Sequence, residues 1–185
     1  MDKYQDKVIW QGKSWHLRLS SLTLPDGSLH ESAYIDHPGS VVIVPLLGSE
    51  TAPEVLMLRQ HRHSINDTII ELPAGTRDWD EDLLLCAQRE LREETGHSAE
   101  LFVDLGKYWP APGITNEVMS LFLATGLKYD PLPLDADEEI ELQAFPFNDL
   151  LAMALVGRLQ DAKSVVGIVR SAVYLHIGPF NSDKS

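Results

Sequence analysis

Residues 75–97 read GTRDWDEDLLLCAQRELREETGH. A glycine turn, a cluster of aspartates and then a stretch free of glycine and proline as far as Gly96 describe a loop that runs into a helix. Asp78 or Asp80 is expected to cap the helix, which continues to Thr95 and stops at Gly96, with Leu84, Ala87 and Leu91 on its core face. At about 100° per residue, Glu90 and Glu94 project within about 40° of each other, and Glu93 flanks them. Carboxylates gathered at one end of a helix repel one another unless a cation sits between them. Their hard oxygen donors suit Mg²⁺ or Mn²⁺, and Mg²⁺ commonly joins one or two carboxylates to substrate phosphates, which points to phosphoryl chemistry. Arg89, four residues before Glu93, can pair with it.

An arbitrary Glu-rich helix is most simply a solvated charged face. The composite spacing sets this one apart: five residues separate Gly75 from Glu81, seven separate Glu81 from Arg89, and Arg-Glu-Leu-Arg-Glu-Glu-Thr-Gly follows. The whole resembles the signature of the Nudix hydrolases at every charged and glycine position. It departs at His97, where that family usually has an aliphatic residue, a change of packing at the helix exit rather than of metal ligands. The resemblance implies an α/β fold, a Nudix-like α/β/α sandwich with a mixed sheet, and hydrolysis of a nucleoside diphosphate linked to another moiety. It also implies Glu90, Glu94 and the backbone carbonyl of Ala74 as ligands to Mg²⁺, or to Mn²⁺ in its place. Glu93 is then a further ligand or a group backing the ligands, while Glu81 and Arg89 orient the loop and helix.

The flanks narrow the resemblance. Leu58-Arg59-Gln60-His61-Arg62, Glu71-Leu72-Pro73-Ala74-Gly75 and Ala111-Pro112-Gly113-Ile114-Thr115-Asn116-Glu117 are similar to segments of the ADP-ribose pyrophosphatase branch, with Pro112 sixteen residues after Gly96. The likeness runs from about Gly39 to Leu175 and implies conversion of ADP-ribose to AMP and ribose 5-phosphate. Alternatives are another nucleotide sugar, GDP-mannose or ADP-glucose, and a regulator that binds ADP-ribose without cleaving it, against which the intact Glu90, Glu93 and Glu94 argue. Arg62 and Arg59 are expected to hold substrate phosphates through the planar guanidinium fork, the alternative being ordinary strand-end cations. Pro112 is placed with them on the substrate side. For the base, the acidic run Asp135 to Glu141 offers Glu138 first and Glu139 as its rival, or a merely solvated loop. Trp10, Trp15, Tyr34 and Trp109 are candidates to clamp adenine, the favoured alternative for each being packing or a dimer contact. The branch further implies a homodimer built through its N-terminal strands.

Around this centre, 185 residues bound a single domain with a small appendage. Residues 1–38 read as an antiparallel β section, with strands on either side of Pro25-Asp26-Gly27, and residues 39–185 as the hydrolase domain. Val41–Val44, Val55–Leu58, Ile69–Leu72, Leu101–Val103, Ser120–Leu123 and Ile140–Leu142 are expected strands, the first covered on both faces. Asn148 is expected to cap a helix through Leu155. A last helix from about Asp161 to Leu175 carries Val165, Ile168, Val169, Ala172 and Tyr174 or Leu175 on its core face. The net charge of −13 and the lack of a basic stripe exclude duplex nucleic acid as a partner. The apolar run Val41–Leu47 is too short to span a bilayer, and no membrane association is expected. Cys86, the only cysteine, reads as a small buried thiol and fits a reducing, cytoplasmic setting.

Overall fold

In a computed structural model of the chain, which describes residues 4–49, 52–133 and 140–180, Val41, Val42, Ile43 and Val44 are all fully buried. Their strand, β4 (Ser40–Ser49), lies at the centre of a mixed sheet. The sheet also contains β5 (Ala52–Arg62), β6 (Asp67–Glu71), β7 (Ala74–Thr76), β9 (Leu101–Tyr108), β10 (Met119–Thr125) and β12 (Ile140–Pro146). Its main order is β12-β5-β4-β10-β9, with β6 paired to β5 and β7 to β4. The β4–β10 pair is parallel, and the other pairs are antiparallel.

Alternation along the two central strands sorts the core into two layers, because successive side chains of a strand point to opposite faces. Val42, Val44, Leu121 and Leu123 pack with Met57, Leu72, Phe147, Leu150 and Ile168, on the side covered by α2 (Phe147–Leu155) and α3 (Ala162–Tyr174). Val41, Ile43, Phe122 and Ala124 pack with Cys86, Ala87 and Leu91 of α1 (Leu83–Thr95) on the other side. The result is the α/β/α sandwich implied by the sequence. Each fully buried aliphatic contributes about 1.5–3 kcal/mol of transfer free energy, so both layers hold the sheet.

A separate antiparallel sheet, in the order β1 (Gln5–Gln11), β2 (His16–Thr23), β3 (Leu29–Asp36), precedes the sandwich. It is tied to the loop at 111–117: Ile35 donates to the Ile114 carbonyl at 2.9 Å, Asn116 donates back to the Ile35 carbonyl at 3.2 Å, and the Asn116 amide bonds Asp36 at 2.7 Å. His16 also stacks on Trp79, their ring centroids 5.1 Å apart, so β2 meets the loop before α1. A two-stranded ladder of β8 (His97–Ser98) and β11 (Lys128–Tyr129) lies beyond the end of α1.

Several expectations are corrected. The cap of α1 is Asp82 rather than Asp78 or Asp80, and its carboxylate accepts from the amides of Leu84 and Leu85 at 2.9 and 3.1 Å. The preceding residues close a turn instead: Glu81 donates to the Asp78 carbonyl and its side chain accepts from the Asp78 amide. Leu84 is 41% exposed, and the buried stripe of α1 is Cys86, Ala87, Glu90, Leu91, Glu94 and Thr95. Asn148 does not cap α2: Pro146 occupies that position, β12 passes straight into the helix, and no side chain makes a capping bond. On α3, Leu175 packs against the core while Tyr174 is half exposed. The expected stop at Gly96 is present, in a left-handed conformation at φ 71°, and Asp161, where the last helix was expected to begin, is its cap.

Leu91→Ala should cost about 2–5 kcal/mol of stability in urea denaturation, and Leu84→Ala less than about 1 kcal/mol. Equal costs would contradict this helix orientation.

Candidate active site

The loop and helix bring three carboxylates around one guanidinium. Arg89 donates through Nε and Nη2 to the two oxygens of Glu81, at 3.0 and 2.9 Å. Its Nη1 donates to Glu90 at 2.6 Å and to Glu93 at 2.9 Å. The bidentate bond from Arg89 is the main reason that Glu81 titrates at about 2 instead of 4.5, and the same contacts raise the Arg89 pKa. Burial pushes the Cys86 thiol up, with the nearby Glu81 charge adding to it, which makes the thiol a poor nucleophile.

Glu90 and Glu94, one helical turn apart, are 9% and 8% exposed and both lie against the start of β7. Glu94 accepts from the Ala74 amide at 2.8 Å. A Cβ on residue 75 would sit 1.9 Å from Cδ of Glu90, so only glycine lets that carboxylate rest on the backbone there. Carboxylate and carbonyl oxygens are the donors preferred by a hard divalent cation. Among the described residues no three His, Cys, Asp or Glu side chains form a metal cage by themselves. Glu90 and Glu94 therefore suit one side of an ion whose remaining positions belong to water and phosphate oxygens, as is usual for Mg²⁺.

Beside this cluster, Arg62 at the end of β5 meets Glu71 at the end of β6 in a paired contact, Nε and Nη2 each 2.7 Å from a carboxylate oxygen. The Arg62 side chain is 41% exposed and Glu71 only 1%. Burial acts to raise the Glu71 pKa, but the bonds from Arg62 and Lys163 outweigh it and hold the group ionised. Arg59 is half exposed and lies 3.6 Å from Glu141 on neighbouring β12. Pro112 is exposed in the loop bonded to β3. Glu138 and Glu139 lie outside the described residues. The Trp10 and Trp15 rings meet at a tilt of 44° with centroids 4.6 Å apart, Tyr34 donates to Asp6 at 2.9 Å, and Trp109 is 65% exposed.

Sequence reasoning overlooked Glu71 as the shared partner of Arg62 and Lys163, although a glutamate inside Ile69-Ile70-Glu71-Leu72 was a signal of a buried charge needing a cation. It also overlooked His37, Ser40 and Glu117. The Ser40 hydroxyl donates to Glu117 at 2.5 Å, and His37 lies 3.8 Å from it, with burial lowering the histidine pKa.

Comparison with known proteins identifies the family. The NUDIX domain matches residues 36–165, and the chain belongs to that family and is a Nudix hydrolase. A methanol dehydrogenase activator of Bacillus methanolicus is 30% identical over 162 residues, 86% of each chain. An ADP-ribose pyrophosphatase of Bacillus subtilis (strain 168) shows the same identity and coverage. A solved structure described as an ADP compounds hydrolase superposes with a TM-score of 0.77, covering 95% of both chains at 18% identity, and shares the fold.

Two predictions follow from the geometry. Gly75→Ala should lower hydrolysis on the order of 100-fold in a steady-state assay while the circular dichroism spectrum is unchanged, because the new methyl displaces Glu90. Glu81, whose pKa is depressed in the folded protein, stabilises it above the unfolded value of 4.5 and loses that contribution as pH falls toward about 2. The stability gap between wild type and Glu81→Gln in urea titrations should therefore shrink across that window; a constant gap would contradict the Arg89–Glu81 assignment.

Proposed function

We propose that the chain hydrolyses the diphosphate bridge of ADP-ribose, releasing AMP and ribose 5-phosphate. The observation that carries this reading is the buried Glu90–Glu94 pair set against the Ala74–Gly75 backbone. The substrate is suggested by the ADP-ribose pyrophosphatase that aligns over most of the chain.

Glu90, Glu94 and the Ala74 carbonyl would hold Mg²⁺ or Mn²⁺, with Glu93 beside them. When bound, such an ion lowers the pKa of a coordinated water and offsets charge on the diphosphate oxygens. Arg89 fixes Glu81, Glu90 and Glu93 in place, so the carboxylates do not have to reorganise during the reaction. Arg62 offers a guanidinium to the diphosphate, Arg59 lies three residues back on the same strand, and Pro112, in the loop bonded to β3, adds to the substrate side. Glu138, with Glu139 as its neighbour, accepts the proton of the attacking water. The water oxygen joins one phosphorus, and the bridging oxygen leaves with the other phosphate.

Residues 1–38 form the dimerisation section in this reading, and residues 39–185 form the hydrolase domain. Val8, Ile9 and Trp10 of β1, each between 40% and 50% exposed, support cover of this outer strand by a second copy. The chain acts on a small nucleotide sugar in the cytoplasm. No helix among the described residues is long and apolar enough to cross a membrane.

Incubation with Mg²⁺ and, separately, ADP-ribose, ADP-glucose, GDP-mannose and NADH tests the reading by product chromatography. ADP-ribose should be cleaved fastest, to AMP and ribose 5-phosphate, and Glu94→Gln should lose the activity. Preferential cleavage of another compound would overturn the substrate, and tight ADP-ribose binding without turnover would favour a regulator.

A further inference from the structure

The start of α3 is latched to the strand that leads into the carboxylate site. Ser164 accepts from the Leu72 amide through Oγ at 2.7 Å, and Lys163 donates to the carboxylate of Glu71, the residue before Leu72. Lys163 is 8% exposed, an unusual setting for an ammonium group. Its other partner is Asp161, 3.1 Å away, which also accepts from the Ser164 amide and hydroxyl as the cap of α3. Glu71 is therefore shared by two cations, Lys163 from the helix and Arg62 from β5.

That sharing decides what Arg62 presents outward. Lys163 holds Glu71 from the other side, and Asp161, 3.1 Å from Lys163, brings the four groups to neutrality, so what Lys163 fixes is the position of Glu71 and through it the direction of the Arg62 guanidinium. Glu71 occupies the Nε/Nη2 edge of the guanidinium, which places Nη1 on the side away from it. The charge of Glu94 acts on Arg62 as well, so Arg62 lies within electrostatic reach of the carboxylate site.

We infer that Lys163 is a positioning residue for substrate: by sharing Glu71 it fixes the orientation in which Arg62 turns its free edge toward an anionic diphosphate. This role rests on the reading of Arg62 as a diphosphate contact. Lys163 itself touches no reacting atom.

The test compares ADP-ribose kinetics of the wild type with Lys163→Met, Lys163→Gln and Lys163→Arg. Lys163→Gln keeps a hydrogen-bond donor for Glu71 and guards against a folding failure of the methionine variant. KM should rise about tenfold or more for Lys163→Met and Lys163→Gln with kcat within about twofold, and Lys163→Arg should restore most of the affinity. Calorimetric titration of ADP-ribose into Glu94→Gln, with and without Lys163→Gln, should show the same loss of affinity without turnover. Unchanged KM and affinity, with only a lowered melting temperature, would overturn the inference and leave Lys163 purely structural. A wild-type protein that neither cleaves nor binds ADP-ribose would overturn the functional reading and the inference together.

Discussion

One guanidinium, that of Arg89, donates to Glu81, Glu90 and Glu93, and Glu94 stands one turn beyond Glu90. Four carboxylates on a single short segment repel each other, and Arg89 neutralises only one of their charges. What remains is a preorganised excess of negative charge, suited to a divalent cation and otherwise costly. Asp82 and Gly96 define the ends of α1 so that Glu90 and Glu94 fall on one side, and Gly75 allows the backbone to approach them. Changing any of these contacts moves the carboxylates relative to Ala74.

The remainder of the fold supplies rigidity to that segment. The alternating burial of β4 and β10 fastens α1 to one face of the sheet and α2 and α3 to the other. Ser164 and Lys163 then reach from α3 to Leu72 and Glu71, just ahead of Ala74 and Gly75. On the opposite flank, His16 stacks on Trp79 and Asn116 bonds Asp36, so the N-terminal sheet touches the loop before α1 and the loop at 111–117. Strand, helix and loop are thus each held by contacts from another layer, which is how a marginally stable chain keeps catalytic groups in place.

The parts of this arrangement that repeat locally were legible in the sequence. The offsets of Gly75, Glu81, Arg89, Glu90 and Glu94 imposed a loop and a helix, and the continuous apolar run at Val41–Val44 marked a strand buried on both faces. Where several aspartates competed to cap α1, the choice of Asp82 depended on the Asp78–Glu81 turn, a tertiary detail that spacing does not encode. Strand β1 was not anticipated because all its residues are exposed and show no two-residue alternation. Lys163 was hidden for a related reason: its partner Glu71 lies 92 residues away, and a lysine among apolar residues gives no sign of which carboxylate it will meet.

The central claim, that Glu90 and Glu94 with the Ala74 carbonyl form the metal-binding side of a hydrolytic site, is tested most directly by anomalous diffraction from crystals grown with Mn²⁺. The account predicts a manganese peak bonded to both carboxylates and to that carbonyl, and its loss in Glu90→Gln. A peak at other residues, or one that survives that substitution unchanged, would contradict it.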